Sequence, residues 1–202
     1  MAVLLEVVDK HNTPLCLMSE RDVLGQKLKH RAVALLLRDK AGRALFTQRQ
    51  GYGWDFSSYA VVYAGQAYEA VARTLLQQDW HQGGRRLTLL GVCPAHENGA
   101  RAFTAVYEVR MPVPLLSLLA ADRSRHLLLD HDEIQGLERS MSEMFSPLLR
   151  YAMQEDCLSP HIQLSRRDAV RSHRRLAKAG SAPHASDRLS PEGAHKKYMV
   201  RF

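Results

Sequence analysis

The chain has 202 residues, 46% hydrophobic and 24% charged, with a formal net charge of +7. Residues 1–162 hold 18 basic and 18 acidic side chains and are neutral. Residues 163–202 hold Arg166, Arg167, Arg171, Arg174, Arg175, Lys178, Arg188, Lys196, Lys197 and Arg201 against Asp168, Asp187 and Glu192, so the whole excess belongs to the last 40 residues. That distribution excludes a basic patch spread over a globular surface.

The composition is that of a soluble globular domain with an appendage, and about 160 residues suffice to bury a core. Cys16, Cys93 and Cys157 are far apart and form no CxxC pair, so neither a disulfide framework nor a zinc knuckle is expected. Three reduced thiols point to a cytoplasmic location. The longest apolar stretch, residues 113–121, is too short to cross a bilayer, and Glu6 and Asp9 argue against a signal peptide.

Residues 3–8 read as a strand and residues 11–14 as the turn after it. Ser19-Glu20-Arg21-Asp22 has the spacing of a capping box that opens a short helix. Residues 30–38 are nearly continuous in apolar side chains, as a centrally buried strand is. A turn at Asp39–Gly42 leads to a hairpin partner over 43–49, then a Gly-rich loop leads to a strand over 57–64. The spacing of Ala67, Ala70, Val71, Leu75 and Asp79 predicts a helix to Trp80. Strands are expected at 85–96 and 102–111 about the turn signal Glu97-Asn98-Gly99, with Pro112 and Pro114 interrupting the second. A helix from Asp132 towards Met144 and another opened by Ser146-Pro147 follow. The boundary falls near residue 160. Beyond it, Ser165-Arg166-Arg167-Asp168 opens an expected basic helix to 179, and 180–197 have the composition of a disordered segment.

The order of these elements is that of an α/β/α sandwich with a mixed sheet. The strand His30–Leu37, the turn Asp39–Gly42 and the strand Arg43–Arg49 resemble the Nudix superfamily, and more narrowly its isopentenyl-diphosphate-isomerase-like branch. The strand pair within Glu6–Met18 and Phe145-Ser146-Pro147 are similar to that branch as well, so the resemblance spans about residues 4–155. It implies a Nudix-type domain over 1–160, followed by a basic tail over 161–202.

The Nudix box reads Gly, five residues, Glu, seven residues, then Arg-Glu-aliphatic-any-Glu-Glu-any-Gly-aliphatic. Its glutamates hold Mg²⁺ or Mn²⁺ against a diphosphate. Residues 65–80 of this chain follow it in two registers. Anchoring on Arg73 puts Thr74, Gln77 and Gln78 at the glutamate positions; anchoring on Gly65-Gln66 puts Leu75, Gln78 and Asp79 there. No Glu survives in either. Gln keeps a carbonyl oxygen but supplies neither negative charge nor a base, so tight binding of Mg²⁺ or Mn²⁺ is not expected, with Asp79 the one carboxylate left to serve it. Isomerase chemistry is rejected too. Aligning on Trp54 puts Tyr59 where that branch has its Cys and Val61 where it has a His, and Val23 stands where a His would partner His30.

Arg31 and Arg49 stand on strand positions that line the cavity in this family, where arginine suits phosphate or carboxylate. With Gln66, Gln77 and Gln78 they make up the expected substrate-binding set. Asp130-His131-Asp132-Glu133 is explained most simply as an acidic helix N-terminus. Two functions remain open. One is a catalytically impaired, degenerate Nudix module that binds a small diphosphate-containing ligand or a partner. The other is an active hydrolase of a nucleoside or other organic diphosphate with an altered metal site. In either case nucleic acid or an acidic protein is the expected contact of the tail, 163–202.

Overall fold

The computed structural model describes residues 3–51, 53–97, 100–155 and 157–158. The expected tail and its basic helix lie outside the described residues. Strand β1 (Leu4–Val8) pairs antiparallel with β2 (Pro14–Ser19), and Ser19 caps helix α1 (Glu20–Gly25), accepting from the Asp22 amide at 3.2 Å.

The principal sheet is built on β3 (His30–Arg38), whose nine residues run parallel to β8 (Ala102–Arg110) along their whole length. On its other edge β3 forks. Its first half pairs with β6 (Ser58–Val61) and its end pairs with β4 (Ala44–Arg49), both antiparallel. Ser57 fills the fork. Its hydroxyl accepts from the Leu37 amide at 3.0 Å and donates to the Leu45 carbonyl at 2.6 Å, satisfying two buried backbone groups that the ladders leave over. Beyond the fork β4 pairs with β5 (Gly53–Asp55) and β9 (His126–Leu129), and β7 (Leu87–Cys93) closes the far side on β8.

Both faces of the sheet are covered, as the unbroken apolar run of β3 requires. Val33, Leu35 and Leu37 face α2 (Tyr68–Trp80) and α3 (Val113–Leu119), where Val71, Ala72, Leu75, Leu76 and Leu116 complete a buried cluster. Ala34 and Leu36 face the opposite way. They pack with Phe46, Trp54 and Phe56 against Ile134 of α4 (His131–Met141), Phe145, and Leu148, Leu149 and Ala152 of α5 (Pro147–Gln154). The expected three-layer α/β/α arrangement with a mixed sheet is therefore present. Leu5, Val7 and Val23 make a third, small cluster under the β1–β2 ribbon.

Three elements differ from expectation. The prolines after β8 do more than end a strand: Pro112 is the N-cap of α3 and Pro114 sits in its first turn, where proline's missing N–H has no intrahelical partner to lose. The Gly-rich loop contains β5. Strand β9 is four residues, a run of three leucines after His126 that is too short to stand out as a strand. The acidic run 130–133 is a capping box, with Asp130 Oδ1 accepting from the Glu133 amide at 2.9 Å and Glu133 Oε2 from the Asp130 amide at 2.8 Å. Among the described residues no helix is long and apolar enough to cross a membrane.

Candidate functional site

Two adjoining cavities, of about 470 and 290 Å³, share Arg49 and Tyr59. The larger is bounded by β6, the loop after it, α2 and Glu20 of α1. The smaller is bounded by β5 and the start of α5. Arg49 stands at the end of β4, opposite Gly53 of β5, which places its side chain beside Asp55 two residues on. The guanidinium Nε lies 3.4 Å from Asp55 Oδ2, and its carbon lies 5.0 Å from the centre of the Tyr59 ring. Arg49 is 36% exposed, so its pairing with Asp55 is screened and leaves donors open to a ligand.

Asp55 is buried. It accepts from Ser146 Oγ at 2.8 Å and from the Phe56 amide at 2.8 Å. Burial pushes its carboxyl above the ordinary carboxylate value of 3.8, against the opposing pull of Arg49 and these hydrogen bonds. The same burial, with Asp55 nearby, pushes the Tyr59 phenol up to about 12, so it stays a neutral donor at physiological pH.

A raised carboxyl makes stability pH-dependent with a definite sign. Below 3.8 folded and unfolded chains both carry the Asp55 proton and its contribution is fully present. As pH rises through the raised folded value the contribution is lost, because the unfolded chain releases the proton freely while the folded chain must bury the charge. Relative to Asp55→Asn, the urea midpoint of the parent chain is expected to fall as pH rises across that window. The Asp55→Asn variant should lack this component of the slope.

Helix α2 turns Val71, Thr74, Leu75 and Gln78 to the larger cavity. Its other two expected site residues are engaged elsewhere. Gln77 Oε1 accepts from the Gly83 amide at 2.9 Å and closes the turn after the helix. Asp79 Oδ2 accepts from Ser58 Oγ at 2.6 Å, and that oxygen accepts from Trp80 Nε1 at 2.7 Å, a chain that ties the helix end to β6. Gln66 lines the larger cavity while its Oε1 accepts from the Tyr63 amide at 3.2 Å.

Arg31 lies apart, on the β1–β2 side. It binds Glu6 at 2.6 Å, the Asn12 side chain at 2.9 Å and the Asn12 carbonyl at 2.8 Å. Of the expected set, the structure thus brings Arg49, Gln66 and Gln78 around one cavity and leaves Arg31, Gln77 and Asp79 outside its lining. Gln78 reaches the cavity in either register of the box, and Thr74 joins it in the register anchored on Arg73. Asp55, Tyr59 and Glu20 complete the site; Asp55 and Glu20 were not expected there, while Tyr59 is the residue that the alignment on Trp54 puts at the isomerase branch's Cys position. The Trp54-Asp55 pair carried no periodic signal, because β5 is three residues long. Among the described residues no three His, Cys, Asp or Glu side chains converge.

No family model matches this chain, and no curated protein matches it. Among solved structures it is similar to a mutT/nudix family protein from Listeria innocua, at 16% identity and a TM-score of 0.48, over 70% of this chain and 96% of that one. It is also similar to a Deinococcus radiodurans protein. The crystal form gives 20% identity and a TM-score of 0.47 over 59% of this chain and 89% of that one. The solution form, described as a hypothetical Nudix protein, gives 18% and 0.40 over 70% and 95%.

Proposed function

We propose that residues 1–160 form a degenerate Nudix-type module that binds a diphosphate-containing small molecule at Arg49 and does not hydrolyse it. The observation that carries this reading is the state of α2. A hard dication takes charged oxygen ligands, whereas the polar groups that α2 offers to the cavity are the neutral Thr74 and Gln78. Its two carboxylates are held elsewhere, Asp79 by Ser58 and Glu69 by Arg73. This donor set does not fit Mg²⁺ or Mn²⁺, and the site binds its ligand without a divalent metal.

Arg49 supplies what a metal-free site needs. Its guanidinium is oriented by Tyr59 and Asp55 and presents a fork that suits two phosphate oxygens. Gln66, Gln78 and the Tyr59 hydroxyl are the neutral groups around it. Charge-assisted hydrogen bonds of this kind are worth about 1.5–3 kcal/mol each. Pyrophosphate titrated by calorimetry in the presence of EDTA is expected to bind, and Arg49→Gln to weaken it about tenfold. Binding that requires added Mg²⁺ would reverse the conclusion. A second reading, an altered hydrolase, is favoured by Glu20 at the rim of the same cavity, a carboxylate that α2 does not supply.

A further inference from the structure

The parallel strands β3 and β8 both end on arginine, and Arg38 and Arg110 are register partners. Glu108 stands between them. Its Oε1 lies 2.6 Å from Arg110 Nε, and its Oε2 lies 3.6 Å from Arg38 Nε, too far for a hydrogen bond. Neither Arg38 Nε nor Glu108 Oε2 has a hydrogen-bond partner, although Arg38 is 9% and Glu108 4% exposed. One buried carboxylate is therefore divided between two guanidiniums, and the strand ends keep a net positive charge.

The turn above them adds to it. Arg110 NH1 donates to the Asp39 carbonyl at 2.8 Å and so fixes the turn that carries Lys40. The Asp39 carboxylate is taken by Arg43 at 2.8 Å, which leaves Lys40 unneutralised by its neighbour. Two clefts of about 700 and 660 Å³ meet at Lys40 and Arg110. The first has Asp132 and Glu138 of α4, and its N-cap Asp130, in its wall, which repel an anion. The second has none. Its polar lining is Lys40, Arg85 and Arg110, and the rest is residues 111–114, all apolar. The Arg85 Nε donates to the neutral Gln82 Oε1 at 3.0 Å, so its charge is not cancelled either.

We infer that this second cleft is a phosphate-binding site, separate from the Arg49 cavity. Lys40, Arg85 and Arg110 hold the phosphate there, and residues 111–114 receive the apolar part of the ligand. Three cations with one shared carboxylate behind them suit a dianion better than a single carboxylate group. The amphipathic lining suits a phosphate ester better than the free ion.

The test is titration of the full chain with inorganic phosphate at constant ionic strength, beside a Lys40→Glu/Arg85→Glu variant. Both side chains are exposed, and the thermal midpoint reports that the variant folds. Saturable binding in the parent, weakened about tenfold or more in the variant, is the expected result. A second titration with single-stranded oligothymidylate assigns the source. A salt slope lowered by about two in the variant places a nucleic-acid backbone in the cleft, and an unchanged slope places a small phosphorylated molecule there. Phosphate binding that is equal in parent and variant, or absent from the parent, overturns the inference.

Discussion

Gly53→Ala is expected to cost on the order of 4 kcal/mol, a large share of the stability of a domain of this size. Gly53 has φ +78°, in the left-handed region that an L side chain enters only with strain. A Cβ built there would also fall onto the Met144 carbonyl oxygen, closer than such atoms approach. Met144 ends the 3-10 turn Ser142–Met144 that delivers Phe145 to the core, so neither backbone can give way without moving the other. Gly42 separates the two causes. Its φ is +89°, but its Cβ would meet open space, so Gly42→Ala should cost only the backbone strain, about 1–2 kcal/mol. Chemical denaturation of the two variants side by side checks the difference. Equal losses would contradict the close packing of Gly53 on Met144.

Phe145→Ala should cost about 3–5 kcal/mol, the range for emptying an aromatic site in a packed core. Phe145 is 1% exposed and meets Phe46 edge-on, with centroids 6.2 Å apart and planes at 60°. It also bridges to Trp54, while the Ser146 amide donates to the Trp54 carbonyl at 2.7 Å. The cavity would therefore open beneath β5, and the loss should reach the site through Asp55, which Ser146 orients. The measurement is the denaturant midpoint together with pyrophosphate affinity. Leu118→Ala, at a side chain 72% exposed, should change neither. A Phe145→Ala variant as stable as the parent would mean that the α4–α5 layer closes over the gap.

The fold was legible where the chain's own periodicity decided it. Residues 30–38 alternate between two covered faces, and their continuous apolar character announced helices on both sides. Ser19 and Ser146 marked helix starts through side-chain oxygens that cap backbone amides, a local effect that needs no tertiary partner. What the sequence did not carry was the fork in β3. The split of one strand edge between β6 and β4, plugged by Ser57, depends on contacts far apart along the chain. The same limit applies to the site. Gln66 and Gln78 could be named because a motif spaces them, and Arg49 because the family resemblance puts that strand position at the cavity. Asp55 could not, because a three-residue strand brings it to the guanidinium. The α2 positions show the opposite limit. Spacing placed Gln77 and Asp79 beside Gln78, but the amide of Gly83 and the hydroxyl of Ser58 draw them into other hydrogen bonds.

Turnover of diphosphate-linked substrates, measured with and without Mg²⁺ or Mn²⁺, tests the metal-free reading of the Arg49 site most directly. The parent chain is expected to show no metal-dependent hydrolysis across nucleoside and other organic diphosphates, while still binding pyrophosphate through Arg49. Metal-dependent hydrolysis by the parent chain would contradict it.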